Sequence, residues 1–242
     1  MPRKPSFSSP TFSQRYHQKM KEKAVFAVHR LLEMTEQEMD HATELYNQAF
    51  FEDSYMKAIV GGNWSLARLQ RRSVLRAALL EGEVYAVKDT DSDRIISMGI
   101  CFAPGRTLFG TEAQRSLGYD DWIKHLSPEA LHWNTHTVPE LKKREVDPMF
   151  TKEEMKRRWW CYALFTDIDH RGKGCAKAIV NEVTRRASQA DGTLGLLTTL
   201  PINVVKYKAM GFQERGMYTV PTSFGDLKAY VLTRKNGTPG FA

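Results

Sequence analysis

Residues Trp159 to Val180, WWCYALFTDIDHRGKGCAKAIV, constrain this chain more than any other stretch. An apolar, strand-like segment meets a polar corner, turns on Gly172 and Gly174, and enters a helical pattern at once. The first N–H groups of a helix have no intrahelical acceptor, and the helix dipole adds partial positive charge there. Such a corner suits an anion, and its glycines allow positive φ and close backbone approach. Arg171 and Lys173 add charge at the same place. A solvated basic turn that merely starts a helix is the alternative. The spacing excludes a nucleotide-hydrolase phosphate loop, which needs four residues between glycines and a Lys-Ser/Thr pair. It also lacks the three-glycine dinucleotide fingerprint.

The elements around this corner alternate between strand-like and helix-like segments. Val25–Leu32 reads as a strand, and Thr35 with Glu38 forms a capping-box pattern for a helix running to about Ala49. Tyr55–Val60 is a short apolar turn or helix stopped by Gly61-Gly62, and Ser65–Leu80 carries a helical stripe of Leu66, Leu69, Leu75, Leu79 and Leu80. Val84–Val87 and Ile95–Phe102 read as strands. Residues 104–157 then break the rhythm: they are polar, proline-bearing and long for a connection, with short helices expected near Tyr119–His125 and Lys152–Arg158. A strand follows at Leu194–Thr199, a helix from about Ile202 to Ala209, and strands near Phe212–Val220 and Leu227–Arg234.

The chain has 242 residues and a formal charge of +7. Arg3, Lys4, Arg15, Lys19, Lys21 and Lys23 against Glu22 place most of that excess in residues 1–23. The basicity therefore belongs to a tail, read as flexible, and gives no ground for a specific nucleic-acid partner. A mitochondrial presequence is the alternative for that tail, although Pro2, Pro5 and Pro10 interrupt a helix there. Cys101, Cys161 and Cys175 lack metal-ligand spacing, and no apolar run is long enough to span a membrane. A reduced cytoplasmic setting without membrane or metal is expected, with mitochondrion or nucleus as alternatives. His132 and His136 stand four apart but have no Cys or acid pair to complete a metal site.

A second motif sharpens the first. Asn203 and Tyr207 share a helix face, Gly211 is placed to stop that helix, and Phe212 opens the next strand. Together, Arg171-x-x-Gly174-x-Ala176 and Asn203-x-x-x-Tyr207-x-x-x-Gly211-Phe212 resemble the signature pair of the GCN5-related N-acetyltransferase (GNAT) family. The likeness spans about 210 residues in order of elements, but only 159–212 in specific motif. It implies a mixed α/β fold: a twisted, mostly antiparallel central sheet flanked by helices, with strands 4 and 5 splayed at the cofactor site.

The resemblance also implies roles. Acetyl-CoA is the co-substrate, its pyrophosphate held by the amides of Arg171, Gly172, Lys173, Gly174, Cys175 and Ala176. Its pantetheine arm would lie on the splayed strand at Leu164, Phe165 and Thr166, with an N–H near Leu164 polarising the thioester carbonyl. Asn203 would contact that arm or neighbouring backbone, and Tyr207 would protonate the leaving thiolate. Direct transfer to the primary amine of a small molecule is expected, by a monomer or homodimer. A protein lysine or N-terminal acceptor, or a non-catalytic acyl-CoA sensor, are the alternatives. Glu52, Asp53 and Asp167 are weighed as bases for the amine, and none is assigned. Cys175, expected near the phosphate, is either a reactive thiol at a helix start or a small packed side chain. The insertion, with Tyr119, Trp122 and Trp133, is either an acceptor lid or a satellite core.

Overall fold

The computed structural model describes residues 26–235, so the basic segment 1–23 lies outside the described residues. Seven strands form one sheet: β1 (Val28–Leu31), β2 (Glu83–Lys88), β3 (Ile95–Phe102), β4 (Arg158–Thr166), β5 (Thr193–Thr198), β6 (Gln213–Val220) and β7 (Leu227–Arg234). Their order is β1-β2-β3-β4-β5-β7-β6. Every neighbouring pair is antiparallel except β4–β5. That exception follows from the connection: a parallel neighbour needs a crossover, which the helix Cys175–Ser188 supplies. The mostly antiparallel mixed sheet matches the expectation.

Helices cover both faces. On one side lie α1 (Glu36–Ala49) and α3 (Ala67–Glu81), with the short α2 (Ser54–Ile59) between them in sequence. Met39, Leu45, Val74 and Leu75 pack there against Ile100, Ala163 and Phe165. On the other side Ile179 and Val183 of the crossover helix meet Leu194, Leu196 and Phe212. All eight residues of β3 are buried, which explains why its sequence runs apolar without alternating. At Gly99 an added Cβ would lie 2.6 Å from Ile179 Cγ2, so glycine lets the crossover helix settle onto the sheet.

The capping box forms as expected, with Glu38 N–H donating to Thr35 Oγ1 at 3.2 Å and Thr35 N–H to Glu38 Oε2 at 3.0 Å. Two elements differ. The first strand covers only four residues, and the leucine stripe of α3 ends on Leu80, which is half exposed. The same helix buries Arg71 completely, a residue that no hydrophobic periodicity singles out.

The insertion is mostly helical from Glu112 onward. It holds α4 (Glu112–Arg115), α5 (Tyr119–Lys124), a long run α6 over 128–149, and α7 (Lys152–Arg157). The two short helices expected there are present; α6 is the surprise. Its components are Pro128–His132, Trp133–Thr137, Val138–Leu141, Lys142–Val146 and Asp147–Met149, the second and fourth wound with wide π-type turns. Pro139 lies between those wide turns and cannot donate a ladder bond, the usual setting for such a local shift. Charge mixing and internal proline hide the helix from periodicity alone.

Three side-chain bonds fix α6 across the molecule. Asn134 Nδ2 donates to Ile59 O at 2.9 Å, Trp133 Nε1 to Pro221 O at 2.8 Å, and Ser223 Oγ to Glu129 Oε1 at 2.7 Å. Trp133 and Leu141 pack with Ala58, Val220 and Ala229. The helix thus closes the space between α2 and the β6–β7 hairpin. Trp122 belongs to a separate cluster with Leu126, Ala130 and Tyr119.

Candidate active site

β4 and β5 begin as partners and then part. They pair in register from Arg158↔Thr193 to Cys161↔Leu196, and no further, although β4 continues to Thr166. At the same level β4 carries a bulge: Cys101 faces Cys161 and Ile100 faces Ala163, leaving Tyr162 as the extra residue. A bulge bends its strand and increases the local twist, which accounts for the fork. Beyond it, Asp167 N–H donates to Ile96 O at 2.8 Å and Phe165 O accepts from Ser97 Oγ at 2.9 Å. Residues 165 and 167 therefore direct their backbone to β3, and by alternation Leu164 and Thr166 direct theirs into the fork. The Phe165 side chain is buried and stacks on Tyr46, ring centroids 4.6 Å apart.

The glycine corner sits at the end of this strand. Gly172 and Gly174 have φ of 75° and 101°, and Gly174 is the N-cap of α8 (Cys175–Ser188) with no side-chain capping bond. An added Cβ at Gly172 meets nothing within 4 Å, so the turn is open on that side. Arg171, Gly172, Lys173 and Gly174 are exposed, and Arg171 Nε lies 3.4 Å from Thr166 O. Backbone donors, positive φ and two cations thus coincide, which fits a phosphate group. Cys175 is buried, and burial pushes its thiol up rather than down, so it packs as a small apolar residue.

Across the fork stands α9 (Pro201–Ala209). Asn203 Nδ2 lies 3.4 Å from Thr198 Oγ1, tying this helix to the end of β5. Gly211, at φ 90°, ends the helix, and Phe212 N–H returns to Tyr207 O at 3.0 Å. The Tyr207 ring meets Phe212 edge-on at 5.4 Å. Burial, with smaller contributions from Cys161 and Cys101, pushes the Tyr207 phenol well above its ordinary value.

A cavity of about 210 Å³ fills the mouth of the fork, and Leu164, Thr198, Asn203 and Tyr207 all line it. So the structure brings together one strand position and both residues of the second motif. The turn residues 171–176 lie outside that lining, at the other end of the parted strand. The cavity also takes Asp53 from the α1–α2 loop, Val138, Lys142 and Val146 from α6, and Tyr55, Trp160, Tyr162 and Tyr218. Sequence reasoning weighed Asp53 but missed the α6 residues. Their i, i+4, i+8 spacing marks one helix face, a signal legible only after the helix itself is recognised.

The other carboxylates have local duties. Asp53 Oδ1 caps α2 by accepting from Met56 N–H at 2.9 Å. Asp167 accepts from Asp169 N–H at 3.0 Å and lies 2.9 Å from His170 Nδ1; that imidazole contact holds its pKa below the usual range. Glu52 is exposed, with φ 60°. His132 and His136 stack at 4.8 Å, and among the described residues no group of three or more His, Cys, Asp or Glu is placed to hold a metal ion. No helix among the described residues is long and apolar enough to cross a membrane.

No protein-family model and no curated protein matches the sequence. Solved structures do match in fold. The structure of histone acetyltransferase HPA2 and related acetyltransferase from Corynebacterium glutamicum is similar at TM-score 0.55 and 15% identity, covering 90% of this chain and 98% of that one. The ribosomal-protein-alanine N-acetyltransferase of Brucella melitensis is similar at TM-score 0.51 and 12% identity, covering 86% and 99%. PH1933 from Pyrococcus horikoshii OT3 is similar at 0.52 and 10%, covering 88% and 99%. In fold, then, the chain is similar to these acetyltransferases, and the mixed sheet is the one that the motif resemblance implies.

Proposed function

We propose that this protein transfers an acetyl group from acetyl-CoA to the primary amine of a small molecule. One observation carries the reading: the strand fork opens between an uncapped glycine turn and a helix that puts Asn203 and Tyr207 on the cavity wall. The co-substrate supplies an activated acyl thioester. Amides at 171–176 bind its phosphates, and the parted edge of β4 hydrogen-bonds its arm. Leu164 N–H, aimed into the fork, steadies negative charge growing on the carbonyl oxygen. Tyr207, kept protonated by its buried setting, gives a proton to the departing sulfur. A thiolate in the same poorly solvated cavity is itself more basic, which keeps that transfer feasible.

The reading of a small acceptor is supported by α6, which roofs the cavity by joining α2 to the β6–β7 hairpin. Two of the similar folds carry the names of protein acetyltransferases, so histone and ribosomal-protein peptides belong beside simple amines in the test panel. Acetyl-CoA should raise the melting temperature, and an amine should release free thiol. Tyr207→Phe should lower kcat by about 100- to 10,000-fold while keeping acetyl-CoA binding. An unchanged kcat would remove the acid role. Thermal stabilisation without thiol release from any amine or peptide would leave a binding protein instead of an enzyme.

A further inference from the structure

The cavity at the fork is lined by two charged residues, Asp53 at the start of α2 and Lys142 on α6. Asp53 sits at the start of α2, with one carboxylate oxygen committed to the Met56 N–H. Lys142 projects from the roofing helix between Val138 and Val146, one turn away on either side. Both are half-buried. Neither joins an ion pair among the described residues, whereas their neighbours do: Arg144 with Glu145, and Asp147 with Arg158. The rest of the wall is aromatic, aliphatic or uncharged, with Tyr55, Trp160 and Tyr218 the large flat surfaces.

One cavity thus offers an anionic and a cationic group, and a ligand that carries both complementary charges gains from each. A simple amine would satisfy Asp53 and leave Lys142 facing apolar walls. A molecule with ammonium and carboxylate at one end and an apolar group at the other satisfies both charges and uses the aromatic surface. The volume of about 210 Å³ lies below the roughly 300 Å³ at which drug-sized sites begin, which restricts the ligand to a small one.

We infer that the acceptor is a free amino acid with an apolar, preferably aromatic, side chain, its ammonium group held by Asp53 and its carboxylate by Lys142. This rests on the acetyl-transfer reading above and names the substrate class for the same cavity. The balance is that of amide formation: the ammonium form of the amino acid and the acyl thioester give the N-acetyl amino acid, free thiol and one proton. The C–N bond forms as the C–S bond breaks. The amine sheds a proton to water before attack and a second as the amide forms, and the sulfur gains one from Tyr207, which is reprotonated from solvent.

The test uses the full chain with saturating acetyl-CoA and follows thiol release with L-phenylalanine, L-phenylalaninamide and 2-phenylethylamine. The amino acid should exceed both carboxylate-free amines in kcat/KM by about tenfold or more. Lys142→Gln should bring that ratio close to one, mainly through KM for the amino acid. Lys143→Gln, at the exposed neighbour, should keep the ratio. Asp53→Asn retains an oxygen to cap α2 and should raise KM for all three amines. Equal or better turnover of 2-phenylethylamine, or a ratio indifferent to Lys142→Gln in a variant of wild-type melting temperature, overturns the inference. So does an absence of turnover with L-phenylalanine and L-leucine. Acetyl-CoA stabilisation with turnover of some other amine would then leave the acetyl-transfer reading standing; loss of both would end it as well.

Discussion

Two long helices of this protein begin in opposite ways. α1 opens on a closed capping box, in which Thr35 and Glu38 satisfy one another's backbone N–H groups. α8 opens on Gly174, at positive φ and with no side-chain cap. Glycine at this position forgoes only a few tenths of a kcal/mol relative to a side-chain cap, so α8 leaves its first N–H groups free at about that cost. Acidic residues also fill the first turn of α1, while Lys177 and no acid stands in that of α8. One helix start is complete within the chain, and the other, on the proposed reading, is completed by an anion.

The sharpest way to break this contrast is to put a β-branched side chain at the open start. Gly174→Val forces an L-residue to φ near 101° and sets a bulky group beside the free amides. Stability should fall by about 1–3 kcal/mol in chemical denaturation. Acetyl-CoA affinity, measured by calorimetry, should fall by more than about tenfold. Wild-type affinity in the folded variant would mean that the corner is only a turn.

The contrast was itself largely legible in the sequence, because both ends use local signals. Thr35 with Glu38, and Gly172 with Gly174, act within three or four residues of themselves. Asn203, Tyr207 and Gly211 likewise mark a helix and its stop locally, whereas the splaying of strands 4 and 5 was available only as an implication of the resemblance. Legibility failed where the cause is distant. The bulge at Tyr162 depends on how β3 pairs with β4. Arg71 is buried against the Tyr46 ring, 5.1 Å from its centroid, a packing that helical periodicity assigns to leucines. α6 is charge-mixed and contains Pro139, so it becomes a helix through its bonds to Ile59 and Pro221 rather than through its own pattern. Lys142 could not be read as part of the site before that helix was known.

A smaller effect is expected at the closed start. Thr35→Ala removes the acceptor for Glu38 N–H and should cost about 1 kcal/mol, or roughly 2–4 °C in melting temperature for a domain of this size. Acetyl-CoA affinity should stay at the wild-type value, because α1 lies on the sheet face opposite α8. An affinity loss comparable to that of Gly174→Val would show that the two helix starts are coupled through the sheet.

The smallest effect separates the two starts by pH. The Thr35 N–H holds the Glu38 carboxyl below its ordinary value, with Lys88 assisting at 3.3 Å. A depressed folded-state pKa contributes stability that is present above the unfolded value near 4.5 and is lost as pH falls through the folded one. The melting temperature of Glu38→Gln should therefore lie slightly below wild type at pH 7, and the two should converge well below pH 4.5. Glu38 is partly exposed, so the difference should be modest and shrink in high salt. α8 has no acid in its first turn, so Lys177→Gln should show no such convergence over the same range. A gap for Glu38→Gln that persists at acid pH would mean that its carboxylate acts through shape rather than charge.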